Sequence, residues 1–258
     1  MSGFTAAHAR AVRTEGFTTV EGVFDTALAE RLRGLLALHA EQQFREADPH
    51  RVIDDFMVHN LMMLEDEFMQ ALANPCIVAA LDELLGPTSL VYAYTSSSMP
   101  AGGTNYSHRV HVDCPRVIPG YPTNVGVIVA LDDFTAENGA SYFLPGSFER
   151  TAPPTDDEFF ADAVRAYPRR GDIVVFNART WHLGGMNTTD RDRHALTLNA
   201  CRSYMRQRFD YPRMIDPDVA DGLSPVLRRL LGFDVRVPAS LDEYYLPEDH
   251  RLYKTGQG

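Results

Sequence analysis

Leucines at positions 28, 32, 35 and 36 recur at the three-to-four spacing of one helical face, and Asp25 stands where an N-cap is needed. The spacing predicts a packing helix. A second helix is more sharply punctuated: Asn74 caps it, Pro75 occupies its first turn, and Ile77, Ala80, Leu81 and Leu84 line one side before Gly86-Pro87 stops it. From Thr88 the period changes. Short β-rich runs over Leu90–Thr95, Val125–Leu131, Ser141–Leu144, Asp172–Phe176 and His194–Tyr204 alternate with turn residues and predict strands. Asp157 to Tyr167 reads as a helical insertion, and Ser224-Pro225 with Gly232 brackets a late helix over Val226–Leu231. Val125–Leu131 is apolar on both parities, as a central strand covered on both faces would be.

Helices followed by many short strands predict an α+β chain with a mainly β core, a sheet sandwich or barrel with flanking helices. One domain over residues 1–258 is the economical division, with a helical region 1–87, a β core at about 88–211 and a helical tail 212–258. Composition narrows the partners. Of 258 residues, 24 are Lys or Arg and 35 Asp or Glu, a net charge of −11. That balance speaks against nucleic acid and anionic membranes, which are held by clustered Lys and Arg. No run approaches the ~20 apolar residues of a membrane span, and no export signal is evident at the start. Cys76, Cys114 and Cys201 are odd in number and far apart, which suits a reducing compartment better than a disulfide framework. The expectation is a cytoplasmic monomer or homodimer that meets a small molecule.

The chemistry concentrates at His111-Val112-Asp113. In the extended stretch expected over Ser107–Asp113, side chains two apart project from one face, so an imidazole and a carboxylate converge. His182, between Trp181 and the turn-forming Gly184-Gly185, supplies a third donor. Two His and one carboxylate can hold one face of Fe(II) and leave positions for a cosubstrate and O₂. A His-x-Asp pair is also a common structural hydrogen bond. Farther on, Arg193, Ala195, Thr197, Asn199 and Cys201 share one strand face, and Leu196 and Leu198 the other. Either the polar face meets solvent or it lines a barrel interior that holds a polar ligand. In the second case Arg193 offers a planar fork for a carboxylate.

His111-x-Asp113, the run from Ala130 through Asp132-Asp133-Phe134 to Asn138-Gly139-Ala140, Leu144-Pro145-Gly146-Ser147, and Gly171-Asp172 followed by His182 and Arg193 together resemble the phytanoyl-CoA dioxygenase family. The resemblance spans roughly Leu90 to Tyr211. It implies a double-stranded β-helix, or cupin-like jelly roll, and an Fe(II)- and 2-oxoglutarate-dependent dioxygenase that releases succinate and CO₂. It also implies His111, Asp113 and His182 as iron ligands and Arg193 as partner of the distal 2-oxoglutarate carboxylate. Because Asp113 fills the position that related halogenases leave open, hydroxylation or a related oxidation is expected. Two positions depart from the family: Phe148 replaces the usual His after Pro-Gly-Ser, and Gly184 replaces a frequent Ser. Thr197 or Asn199 is the candidate to replace that lost hydroxyl toward 2-oxoglutarate.

Arg109, two residues before His111, is a candidate for an anionic substrate group or a solvated residue at the mouth. Tyr92 and Tyr94 share an expected strand face and are candidates to line the pocket or to pack as aromatics. His108 should point away from the ligand face, Trp181 away from the metal, and Cys114 should fill a buried gap. Met57, Met62 and Met63 read as core, with an adaptable lid as the other option. His39, His50, His59 and His250 lack chemical context. Arg169-Arg170 abuts a strand rather than a phosphate-cradling helix start, so a small polar or amphipathic metabolite, as in natural-product biosynthesis, is expected in preference to an acyl-CoA. A catalytically silent jelly-roll binding module is the competing class.

Overall fold

The computed structural model describes residues 3–45, 57–251 and 253, so His50 and the tail end lie outside the described residues. Both predicted helices form where their caps place them. Helix α1 (Ala6–Thr14) and strand β1 (Phe17–Val20) precede α2 (Thr26–Arg45), where Asp25 Oδ1 accepts the Leu28 N–H at 2.7 Å. Helices α3 (Asp66–Leu72) and α4 (Pro75–Leu85) follow, with Asn74 accepting from the Cys76 N–H at 2.9 Å. Gly86 closes α4 at φ 95°, a conformation that favours glycine.

The remaining strands are β2 (Leu90–Ser96), β3 (Asn124–Ala130), β4 (Tyr142–Phe143), β5 (Val164–Arg165), β6 (Ile173–Asn177), β7 (His182–Leu183) and β8 (Ala195–Cys201). They build two antiparallel sheets, ordered β1-β6-β3-β8-β2 and β5-β4-β7. Helix α5 (Asp156–Asp162) lies between β4 and β5, and α6 (Tyr211–Met214), α7 (Pro217–Asp221), α8 (Pro225–Leu230) and α9 (Leu241–Tyr244) end the chain. The two sheets form the jelly-roll core. β3 is its middle strand, as its unbroken apolar run requires, and all seven of its residues are buried.

Each face of the large sheet serves a different core. Val127, Val129, Leu196 and Leu198 point outward and pack with Leu32 and Leu36 of α2, Leu81 of α4 and Leu227 of α8. Ile128, Ala130, Val174, Phe176 and Ala195 point inward and pack with Phe143 from the small sheet. The rings of Phe17 and Phe143 stack at 4.7 Å, which ties β1 to the small sheet. Among the described residues no single helix is long and apolar enough to cross a membrane.

Three expectations change. The N-terminal region is not wholly helical, because Phe17–Val20 pairs with β6 as an edge strand. Four residues are too few to show an alternating pattern, but two threonines and a valine suit an extended chain. The insertion over Asp157–Tyr167 divides into α5, closed by a Thr155–Glu158 capping box, and β5, which pairs with β4. The Ser107–Asp113 stretch is not a continuous strand, since only His111 makes a bridge, to His182.

Gly126 is where the inner packing is tightest, because a Cβ there would overlap the Phe176 ring. Gly126→Val should therefore destabilise by about 1–3 kcal/mol. Gly34, exposed within α2 with open space around it, should gain up to ~1 kcal/mol as Ala. Urea unfolding of both variants checks the pair, and opposite shifts of the midpoint are expected.

Candidate metal centre

His111 and His182 are bridge partners that exchange both backbone hydrogen bonds, at 3.0 and 2.9 Å. Facing residues in such a pair put their side chains on the same side of the sheet, and the two imidazole centroids lie 4.2 Å apart. Asp113 is brought to them by its own N–H, which donates to the Ala178 carbonyl at 2.9 Å. Asp113 Oδ1 then sits 3.5 Å from His111 Nε2 and 3.8 Å from His182 Nε2. One ligand atom from each of the three residues falls within a 4.8 Å cluster.

The other ring nitrogens decide what this cluster is. His111 Nδ1 lies 2.7 Å from the Arg109 carbonyl and His182 Nδ1 2.9 Å from the Thr180 carbonyl. A carbonyl only accepts, so both Nδ1 atoms carry the proton and both Nε2 atoms present lone pairs. Those lone pairs face a carboxylate at separations beyond the 2.7–3.2 Å of an N–H···O bond. Three acceptors converge with no proton to share, an arrangement that a cation satisfies. Donors at ~2.1 Å from one octahedral ion lie about 3 Å apart when adjacent, somewhat tighter than the 3.5 and 3.8 Å found here.

Protonation states agree with this donor set. Burial first, and then the charge that His111 carries whenever its ring is doubly protonated, push His182 down to about 4, so it is neutral near pH 7. Burial alone would raise the Asp113 carboxyl. The adjacent His182 and His111, in the states where their rings take up a second proton, and the Asn199 amide offset this and hold it below the ordinary carboxylate range. Asn199 Oδ1 accepts from Asn124 Nδ2 at 3.0 Å, which turns its NH₂ toward Asp113. Asn124 is held by Thr123, and Thr123 by the buried Cys114 thiol at 3.2 Å. Asn199, a candidate toward the cosubstrate by sequence, lies against Asp113.

Arg193, only 2% exposed, lies at the start of the inward row of β8. Its Nη2 and Nη1 make long contacts with the carbonyls of Gly139 and Ser97, at 3.3 and 3.5 Å, and its plane covers the Phe134 ring at 4.0 Å. Burial lowers its pKa to about 10, so it stays charged. Among the described residues it has no ion pair, and its Nε is buried without a partner, as is Thr197 Oγ1 on the same row. A buried guanidinium and a buried hydroxyl with open donors fit a dicarboxylate cosubstrate.

Tyr94 does not line this pocket. A β-bulge between Val91 and Ala93 makes Tyr92 an extra residue, which shifts the parity of the strand. Ala93 and Thr95 therefore pair with Asn199 and Thr197 on the inner row, while Tyr94 pairs with Leu198 and packs among the helices. Burial there raises its phenol pKa. Tyr92 stays half-buried, and its carbonyl accepts from the Arg208 N–H at 3.0 Å. Arg109 is exposed. His108 turns to the Gly184 carbonyl at 2.8 Å, and Trp181 packs with Leu144 and Phe159 on the outer side of the small sheet, both away from the triad. A serine at position 184 would require Ser107 Oγ and the Met99 methyl to move, because its Cβ would overlap both. Met62 is core, Met57 is buried and Met63 is exposed. Arg170 is tied to Glu30 and Asp132, not to a ligand.

The buried neutral His182 makes the metal-free chain acid-sensitive. Below its ordinary value of 6.5 the unfolded chain takes up a proton that the folded site refuses until about 4. Stability should be full above that window and fall as pH drops through it, by up to about 1.4 kcal/mol per pH unit. His182→Gln should flatten this part of the curve in chemical unfolding measured across the window.

A family model described as phytanoyl-CoA dioxygenase (PhyH) matches residues 12–195. The uncharacterized protein Rv1501 of Mycobacterium tuberculosis is 32% identical over 256 residues, covering 96% of this chain and 94% of that protein. Dioxygenase af480 of Aspergillus fumigatus is 32% identical over 187 residues, 68% of this chain and 58% of its own length. Among solved structures, the non-heme monooxygenase ThoJ in its nickel complex superposes with a TM-score of 0.64 at 22% identity, over 78% of this chain and 80% of that one, a likeness of fold. With a dioxygenase family model across most of its length and fungal relatives named dioxygenases, the chain is an oxidoreductase and belongs to the phytanoyl-CoA dioxygenase (PhyH) family.

Proposed function

We propose that the chain is an Fe(II)- and 2-oxoglutarate-dependent dioxygenase that hydroxylates, or otherwise oxidises, a C–H bond of a small metabolite. The observation that carries this reading is the pair of imidazoles whose Nδ1 protons are spent on main-chain carbonyls, leaving two Nε2 lone pairs aimed at one carboxylate. When bound, iron with 2-oxoglutarate supplies the activation of O₂ and the oxidation of a C–H bond, with release of succinate and CO₂.

The chain's own residues do the rest. His111, Asp113 and His182 would hold the ion, which when bound would be open to cosubstrate and O₂. Asn199 fixes the carboxylate rotamer, in the way that outer partners of metal ligands set their orientation. Arg193 receives the distal carboxylate with a forked, charge-assisted pair, and Thr197 offers a hydroxyl on the same row. Phe143 stacks on the His182 ring at 5.7 Å and Phe176 lies 5.0 Å from it, which keeps water from the inner side of the ligand. Arg109, exposed and two residues from His111, is the candidate for a carboxylate or phosphate on the substrate. With Asp113 filling the third ligand position, the expected product is oxidised and not chlorinated.

The test is anaerobic reconstitution with Fe(II) and 2-oxoglutarate, followed by O₂ uptake and succinate release across a metabolite library. Binding without turnover would turn the reading into that of a silent binding module. His182→Ala should lose the stoichiometric equivalent of Fe(II). Arg193→Ala should raise the 2-oxoglutarate requirement at least ~100-fold, since breaking a buried charged pair costs on the order of 3–5 kcal/mol. A full iron equivalent in the first variant, or an unchanged requirement in the second, would exclude that residue's role.

A further inference from the structure

A cavity of about 400 Å³ lies outside the barrel, on the helix side of the large sheet. Val12 and Arg13 of α1, Glu83 and Leu84 of α4, and the loop 116–123 enclose it above Val125 of β3. None of His111, Asp113, His182 and Arg193 lines it. We infer that this cavity is a second ligand site, for an amphipathic organic anion with one carboxylate or phosphate head and a short apolar body. The inference goes beyond the proposed oxygenase chemistry and does not depend on it.

Charge carries the argument. Arg116, Arg179 and Arg202 line the cavity together with Arg13, Asp82, Glu83 and Glu149. Glu83 is already paired with Arg13 at 2.7 Å and Asp82 with Arg229 at 2.6 Å. Three further arginines therefore share the lining with one remaining acidic residue, Glu149, in a chain whose overall charge is −11. Arg202 is built in: Nε donates to the Pro122 carbonyl at 2.8 Å, Nη1 to the Leu85 carbonyl at 2.9 Å, and its plane rests on Tyr121 at 3.6 Å. Arg179, only 6% exposed, is held by the carbonyls of Cys114, Phe148 and Arg150. Among the described residues neither Arg179 nor the half-buried Arg202 forms an ion pair, although burying a guanidinium such as that of Arg179 without an anion is costly. Rigid, uncompensated guanidiniums are how proteins receive carboxylates and phosphates.

Shape supplies the other half of the ligand. Val12, Leu84, Ile118, Tyr121, Val125 and Phe148 give an apolar wall, and the volume lies at the small end of the range for organic ligands. A nucleotide, with its several charges and polar base, matches neither the wall nor the size.

Calorimetry on the full chain, with and without Mn(II) plus 2-oxoglutarate, tests the site with octanoate, octyl phosphate and uncharged octanol. The expected result is one site per chain for at least one of the two anions, at least ~10-fold tighter than octanol and indifferent to metal and 2-oxoglutarate. The preferred head group names the class, carboxylate or phosphate. Arg116→Gln, at an exposed position, should weaken binding about tenfold, and Arg202→Gln, where it folds, should weaken it further. Absence of binding by both anions, equal affinity for octanol, loss of binding in the presence of Mn(II) and 2-oxoglutarate, or full affinity in Arg116→Gln would each overturn the proposal.

Discussion

Two backbone hydrogen bonds, exchanged between His111 and His182, set the geometry on which the site depends. They join segments far apart in sequence and fix the two side chains on one side of a very short sheet. Each imidazole is then caught by the carbonyl two residues before it, Arg109 for the first and Thr180 for the second. The same local device used twice gives both rings one tautomer, and Nε2 is left as the donor. Had the rings been free to turn, either nitrogen could have faced Asp113 and the donor set would not be defined. The small sheet is too short to hold this arrangement alone. It rests on Phe143 and Phe176, and these rest on the inner face of the large sheet at Gly126.

A second constraint governs the other end of the pocket. Asp132 accepts from Arg33 of α2 at 2.7 Å, from Arg170 at 3.3 Å and from the His194 N–H at 2.8 Å. His194 directly follows Arg193, so one carboxylate ties the outer helix to the strand start that aims the buried guanidinium. Asp132 also opposes the loss of charge that burial imposes on Arg193. The long helix covers the sheet and also fixes where a cation points inside it.

Which parts of this could be read from sequence follows from the range of the forces involved. Caps and helical periodicity act within a few residues, so the α2 and α4 starts were legible from Asp25 and Asn74-Pro75. Donor types were legible as well, and the structure brings His111, Asp113 and His182 together. The tautomer lock was not, because it uses main-chain carbonyls that every residue type carries. Of the two roles open to Tyr94, packing and not pocket lining is the one it takes, because a single inserted residue reverses strand parity and a bulge leaves little trace in composition. Asn199 was placed on the correct row of β8, but its partner is chosen by Asn124 on the neighbouring strand, a contact that no spacing within one strand reveals.

The large sheet keeps its two faces for different work. Its outer face packs against α2, α4 and α8 through aliphatic side chains, and its inner face combines a few aromatic rings with polar rows. Alternation along each strand means that neighbouring codons serve opposite faces. A lineage can therefore rewrite the polar inward positions, such as Thr197 and Asn199, and with them the choice of substrate, while the outward residues and the inner aromatic packing preserve the fold's stability. Divergence within such an architecture is cheap in evolutionary terms, because loss of one activity need not first unfold the protein.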